Sequence, residues 1–440
     1  MNPDKVFAAV GMYTNSWDPN NGAILRSSDR GATWSRTDLP FKVGGNMPGR
    51  GMGERLQVDP NDNRVLYFGT EGGNGLWRST DSGVTWGKVS SFTNVGNYAQ
   101  DPTDPNGYLT TNQGVVWVTF DPTSGTKGSP TRTIYVGVAD KENTVYRSTD
   151  AGATWSRIAG QPTGYIAHKG VFDAVGKQLY IATSDTGGPY DGGHGDLWRL
   201  DAATGAWTQI SPVPSSSTDS YFGYSGLTID RQDPDTIMAV TQISWFPDIQ
   251  VFRSTDRGAT WSRIWDWNGY PDRTLRYTLD ISGSGWLTFG KQPAPPEPSP
   301  KLGWMTESFE IDRSTPARSS TARAPPSTAA PTSPPGTRAA RWRSASGRRA
   351  SRRRPCSTWP LPRAPSSWSP ASVTSAASCT PTSRRHRRRT RPPLPSWARS
   401  TAPTSPRRRR PPWSASARET PAAPTSASRP RAAARGGPGR

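Results

Sequence analysis

The chain has 440 residues, 44 Gly, 44 Pro and a formal net charge of +20, but that charge is unevenly placed. Of its 54 basic residues, 28 are arginines in 313–440 beside one acid, Glu419; residues 1–312 keep 26 basic against 33 acidic groups, so the two segments carry +27 and −7. No apolar run is long enough for a transmembrane helix, and with Cys356 and Cys379 the only cysteines, residues 1–312 hold no disulfide framework or cysteine zinc site.

The N-terminal stretch Met1–Tyr13 lacks the basic-then-apolar pattern of a signal peptide, so none is expected there. From that point the chain repeats itself. The signature Ser-x-Asp-x-Gly-x-Thr-Trp occurs at Ser27–Trp34, Ser79–Trp86, Ser148–Trp155 and Ser254–Trp261, spaced by 52, 69 and 106 residues. The last interval is double, and midway lies a worn copy, Leu197–Asp201 followed by Gly205 and Trp207. Strand-like runs precede and follow each copy, as at Gly75–Arg78 and Trp155–Ile158. Further β-rich segments, Val65–Gly69, Thr133–Val138 and Gln178–Ala182, come earlier in each period. A period near 50 residues with three or four short strands predicts all-β propeller blades. The signature is expected at a hairpin turn. There Asp29, Asp81, Asp150 and Asp256 accept backbone N–H groups, Gly takes φ > 0, and Trp packs between blades. Recurrence argues against catalysis by these aspartates, because a turn is needed in every blade and a catalytic carboxylate once or twice.

This repeat is the Asp-box, or BNR, motif. Between the boxes, Gly11–Gly22, Asn46–Arg55, Ser184–Asp196, Gly223–Asp230 and Lys301–Glu307 resemble the xyloglucanases of glycoside hydrolase family 74. The resemblance covers residues 1–312 and stops at Asp312. It implies one incomplete seven-bladed propeller of a pair, with β-1,4-glucan cut by inversion in the cleft between the two. Inversion needs one carboxyl to protonate the leaving oxygen and another to activate water, about 6.5–9.5 Å apart. In the family these are the aspartates of a TD-(V/I)-GG and a GD-(V/I)-GG motif. This chain has neither, so no catalytic residue is assigned and turnover is not expected. The first motif is expected upstream of Met1. Ser184–Gly188 resembles it only superficially, and Asp185 is read as a substrate contact or turn residue.

Residues 313–440 contain no Ile, Phe, Tyr, Asn, Asp, Gln, Lys or Met and are rich in Arg, Pro, Ala, Ser and Thr. Such a segment buries too little apolar surface to offset its chain entropy, and disorder is expected. The missing residue types mostly need A- or T-rich codons, the pattern of GC-rich DNA translated out of frame. Loss of one base after the Asp312 codon lets Arg313–Pro316 recode as Pro-Phe-Asp-Ser. In the same frame Ser372–Ser378 recodes as Gly-Asp-Val-Gly-Gly-Phe, restoring the second motif across the codons of Val373 and Thr374. As protein, the +27 tail reads alternatively as a salt-dependent, non-specific nucleic-acid binder.

Sugar-binding candidates carried by the resemblance are Trp245 and Phe246, in a loop where the family places tandem aromatics. Trp17, Asn46, Arg50, Gln113, Asp185, Tyr224 and Trp304 join them. Flat aromatic faces suit the apolar faces of glucose rings, and polar side chains suit the hydroxyls. The expected partner is xyloglucan or a related β-glucan. No cofactor, metal or membrane contact is expected, because His168, His194 and His386 each stand alone. A secreted monomer is implied, with a binding-only propeller as the alternative.

Overall fold

A chain whose polar turns recur between short Val-, Ile- and Leu-rich runs folds into consecutive antiparallel meanders, and the computed structural model consists of these. It describes residues 3–244, 246–280, 302–303, 305–311 and 340–343. These belong to the first of two compact units, Met1–Arg353 and Arg354–Arg440. The boundary expected at 312/313 and nearly all of the tail lie outside the described residues.

The first sheet is three-stranded: β1 (Val6–Val10), β2 (Ala23–Ser27) and β3 (Ser35–Asp38). Four four-stranded sheets follow. The second sheet is β4 (Leu56–Val58), β5 (Leu66–Gly69), β6 (Leu76–Ser79) and β7 (Gly87–Lys88). The third is β8 (Val115–Phe120), β9 (Ile134–Val138), β10 (Val145–Ser148) and β11 (Ser156–Arg157). The fourth is β12 (Ile166–Asp173), β13 (Gln178–Ser184), β14 (Leu197–Asp201) and β15 (Trp207–Gln209). The fifth is β16 (Tyr224–Ile229), β17 (Ile237–Thr241), β18 (Val251–Ser254) and β19 (Ser262–Arg263). Strands pair in sequence order, so each sheet is one propeller blade, and the worn signature holds the third and fourth strands of the fourth. A hairpin, β20 (Trp265–Trp267) and β21 (Arg273–Leu275), comes after the fifth blade. Beyond it β22 (Tyr277–Asp280) runs parallel to β23 (Ala340–Arg343).

The cores lie between blades. One cluster joins Val116, Trp117 and Tyr135 of the third blade to Ile166, Leu179 and Leu200 of the fourth. Another joins Tyr180 and Leu197 of the fourth to Leu227, Ile237 and Phe252 of the fifth. Trp117 is fully buried and donates its indole N–H to the Ala167 carbonyl at 3.1 Å. Glycine makes room for that ring: a Cβ at Gly137 would fall 2.1 Å from it.

The Asp-boxes close the hairpins between the last two strands of their sheets, β2 and β3 in the first and the third and fourth strands in the others, with one repeated network. Each Ser Oγ donates to its Asp at 2.7–2.8 Å and accepts the Gly N–H at 2.8 Å. Each Asp accepts the Thr N–H at 2.8–2.9 Å and, on its other oxygen, the Thr hydroxyl at 2.5–2.6 Å. The Thr side-chain bond leads the pull that lowers Asp29, Asp150 and Asp256 to about 2; at Asp81 burial is the largest single influence and raises the carboxyl, but the bonds from Thr85 and Ser79 together outweigh it and bring it to about 2. The worn turn keeps part of this, with Asp201 accepting the N–H groups of Ala203 and Thr204 at 2.9 Å. Box tryptophans pack between blades, Trp155 against Tyr67, Trp261 through its N–H to the Ile210 carbonyl at 2.7 Å, and Trp86 against the cluster of Ile24, Leu39, Phe41 and Phe68. Trp34 and Trp86 also donate to their own turn glycine carbonyls.

Candidate carbohydrate-binding face

Blade topology sorts the loops into two faces. The Asp-box turns meet the first-to-second strand turns of the blades, as Ser82 N–H donates to Arg64 O and Ala151 N–H to Arg132 O. The second-to-third strand loops of the four-stranded blades, the β1–β2 loop of the first sheet and the inter-blade connections emerge at the opposite end. Trp17, Asn46, Arg50, Gln113, Asp185 and Phe246 all fall in this second set, away from every Asp-box.

A groove of about 580 Å³ opens on that loop face, lined by Gly192, Tyr221, Ile243, Ser244, Phe246, Pro247 and Trp267. Phe246 is 43% and Trp267 45% exposed, and their ring centroids lie 6.4 Å apart. Buried Asp248 braces the loop under Phe246. Its carboxylate accepts N–H groups from Ile249 at 2.9 Å, Leu302 at 3.1 Å and Gly303 at 3.2 Å. Burial pushes this carboxyl up despite those bonds.

A second aromatic patch gathers Tyr13 and Trp17, whose centroids are 4.8 Å apart, with Trp17 65% exposed. Asn46 Nδ2 donates to the Tyr13 hydroxyl at 3.2 Å, and the Tyr108 hydroxyl donates to Asn46 O at 2.9 Å. The Arg50 guanidinium stands 5.5 Å from the Tyr190 ring centroid and donates to its hydroxyl at 3.4 Å. Hydrogen-bond donors and flat rings therefore alternate here, an arrangement suited to sugar hydroxyls.

The remaining candidates are placed differently. Asp185 accepts the Gly193 N–H at 2.9 Å, and its own N–H donates to His194 O, so it staples its loop. Tyr224 is removed from the contact set: it is fully buried, and its hydroxyl is closed on the Val213 backbone, donating to O at 2.9 Å and accepting N–H at 3.1 Å. Gln113 is also fully buried, between Gly49 and Gly187. Trp245 and Trp304 lie outside the described residues. Reading the sequence missed Tyr190, Tyr221 and Trp267, which sit among many tryptophans and tyrosines with no motif to separate surface from core.

Beneath the face lies a charged axial cluster. Arg55 donates to the carbonyls of Gln113 and Val115 at 3.0 and 2.6 Å and pairs with Glu71 at 3.3 Å. Burial raises both Glu71 and Glu307 to about 7, against the pull of Arg55 on the first and of Arg50 and Arg55 on the second. Buried His168 is lowered to about 4 by desolvation and stays neutral, its Nε2 bonded to Thr186 O. Among the described residues no group of three or more His, Cys, Asp or Glu could hold a metal ion, and no helix is long and apolar enough to cross a membrane.

No family model matches the chain. A xyloglucanase of Paenibacillus sp. is 63% identical over 312 residues, 71% of this chain and 30% of that protein. A xyloglucanase of Acetivibrio thermocellus is 57% identical over 313 residues, 71% of this chain and 37% of its own length. The crystal structure of the GH74 xyloglucanase from Xanthomonas campestris superposes with a TM-score of 0.57 at 35% identity, covering 64% of this chain and 38% of that one. Over these lengths the chain matches xyloglucanases of glycoside hydrolase family 74. It spans about a third of the length of these relatives. Its family-74 loops carry the aromatic groove, while its Asp-boxes hold the opposite face together.

Proposed function

We propose that residues 1–312 are the glucan-gripping half of a xyloglucan-directed, inverting glycoside hydrolase, acting outside the cell on plant-wall polysaccharide, and that this chain binds without turnover. The observation that carries this is the groove of Tyr221, Phe246 and Trp267, on the same loop face as the Tyr13–Trp17 and Arg50–Tyr190 pairs. Exposed rings on a braced loop fit the apolar faces of a β-1,4-glucan backbone. The described carboxylates offer no inverting pair in the groove. Glu71 and Glu307 point into the axial cluster, and Asp185 is spent on its loop.

The test uses the full chain. Affinity electrophoresis in xyloglucan should retard the wild type, and Phe246→Ala should weaken binding by roughly five- to tenfold, the loss of one aromatic contact. Release of new reducing ends should be absent. Unretarded migration of the wild type would overturn the binding role, and measurable turnover would overturn the absence of a catalytic pair.

A second reading belongs to the tail alone. Its 28 arginines against one acid favour non-specific polyanion binding, steeply weakened by salt.

A further inference from the structure

The hairpin β20–β21 is an addition to the repeat. The connections from the first blade to the second, second to third, third to fourth and fourth to fifth contain no paired strands; only the one after the fifth blade does. A blade can be built without it, so its side chains need another reason to be where they are.

That hairpin is built to hold apolar surface in water. Trp265 anchors it: 4% exposed, it donates its indole N–H to Ile249 O at 2.9 Å, and the Arg273 guanidinium lies 4.9 Å from its ring centroid. Trp265 in turn backs Trp267 edge-on, with centroids 5.6 Å apart. The tip is tight, with Asp272 N–H donating to Gly269 O at 2.7 Å and Asn268 N–H to Asp272 O at 3.0 Å. Gly269 takes φ 80° there, a conformation that strains residues with a Cβ. On this frame Trp267 and Tyr270 stand 5.8 Å apart, Tyr270 being 76% exposed. Phe246, Trp267 and Tyr270 thus form one strip, entering from the groove and running out along the hairpin. Water gains nothing from two propped rings, whereas a sugar chain leaving the groove would cover them.

We propose that Trp267 and Tyr270 form an outlying subsite for a further sugar ring of a β-glucan chain already held at Phe246, so that the protein grips long chains more tightly than short ones. This rests on the glucan-binding reading above. The occupant is a pyranose because the strip continues a groove that ends in the same kind of ring, and flat rings stacked in line suit successive apolar sugar faces.

The experiment compares xyloglucan oligosaccharides of one and of two or more repeat units, by calorimetry on the full chain. Wild type should bind the longer ligand more tightly. Tyr270→Ala should weaken the longer ligand by roughly three- to tenfold and leave the shorter unchanged, while Trp267→Ala, which also lines the groove, should weaken both and the longer one more. Trp267→Phe, which keeps a flat ring, should restore most of the difference. Tyr270→Ala guards against misfolding, since its side chain lies at the exposed tip. Phe246→Ala separates the two readings by weakening both ligands. If it does so while both hairpin variants leave the length preference intact, the subsite is overturned and glucan binding stands. If wild type binds neither ligand, both fall together.

Discussion

The two ends of the blades are built by opposite rules. At the Asp-box end the same four side chains recur, and the same bonds recur to within 0.1 Å. At the loop end hardly anything recurs: Trp17, Arg50, Tyr190, Phe246 and Trp267 come from five different segments. Repetition marks what every blade must solve for itself, namely how to satisfy the polar groups of a tight turn. Singularity marks what the molecule needs once. The aspartates are the most conspicuous carboxylates in the sequence, yet they lie at the wrong end and have their oxygens committed to Ser and Thr.

This contrast can be broken by mutation. Ser148 is buried and both accepts the Gly152 N–H and donates to Asp150. Ser148→Ala orphans that N–H, so unfolding should become easier by about 1–3 kcal/mol, read by urea titration, with glucan affinity unchanged. An altered affinity would place the Asp-box end in the binding function. The sharpening experiment is smaller and concerns pH. The axial carboxyl of Glu307 is raised from its ordinary 4.5 to about 7, chiefly by burial. A raised carboxyl gives stability that is complete below the unfolded value and lost as pH rises through the folded one. Melting temperature should therefore fall between pH 4.5 and 7, with Glu71 contributing in the same window. Glu307→Gln, neutral at every pH, should flatten part of that fall and leave the share of Glu71. An unaltered profile would show that Glu307 is not desolvated.

The blades were legible because their signal is periodic. The 52-residue spacing and the worn copy at Leu197–Trp207 place the last two strands of each of the five blades. Local chemistry also read well, since Ser, Asp, Gly and Thr bond within eight residues of one another. One detail escaped. The residue before each box glycine also takes positive φ, at Arg30, Ser82, Ala151 and Arg257, because the surrounding bonds outweigh the penalty for a Cβ. The binding face read less well because exposure is decided by distant contacts. Tyr224 sits in a family-like loop sequence but opens a buried inner strand, while Trp265 and Trp267, two residues apart, divide into anchor and surface according to what packs above them. The tail was legible only as coding pattern. Sequencing the gene across codon 312 should find one base missing relative to an open second-propeller frame; an unbroken frame would make the arginine-rich tail a true part of the protein.

Lys169 has a consequence for the order of folding. Fully buried on an inner strand, its ammonium bonds to Glu54, 115 residues earlier, and to Glu310 at 2.9 Å, 141 residues later. Blades can stack one by one as they leave the ribosome, each meeting the neighbour made just before it. The axial lysine cannot be fully paired in that way, because its second carboxylate is made 141 residues after it. A half-made chain therefore carries an under-neutralised cation at its centre until residue 310 arrives.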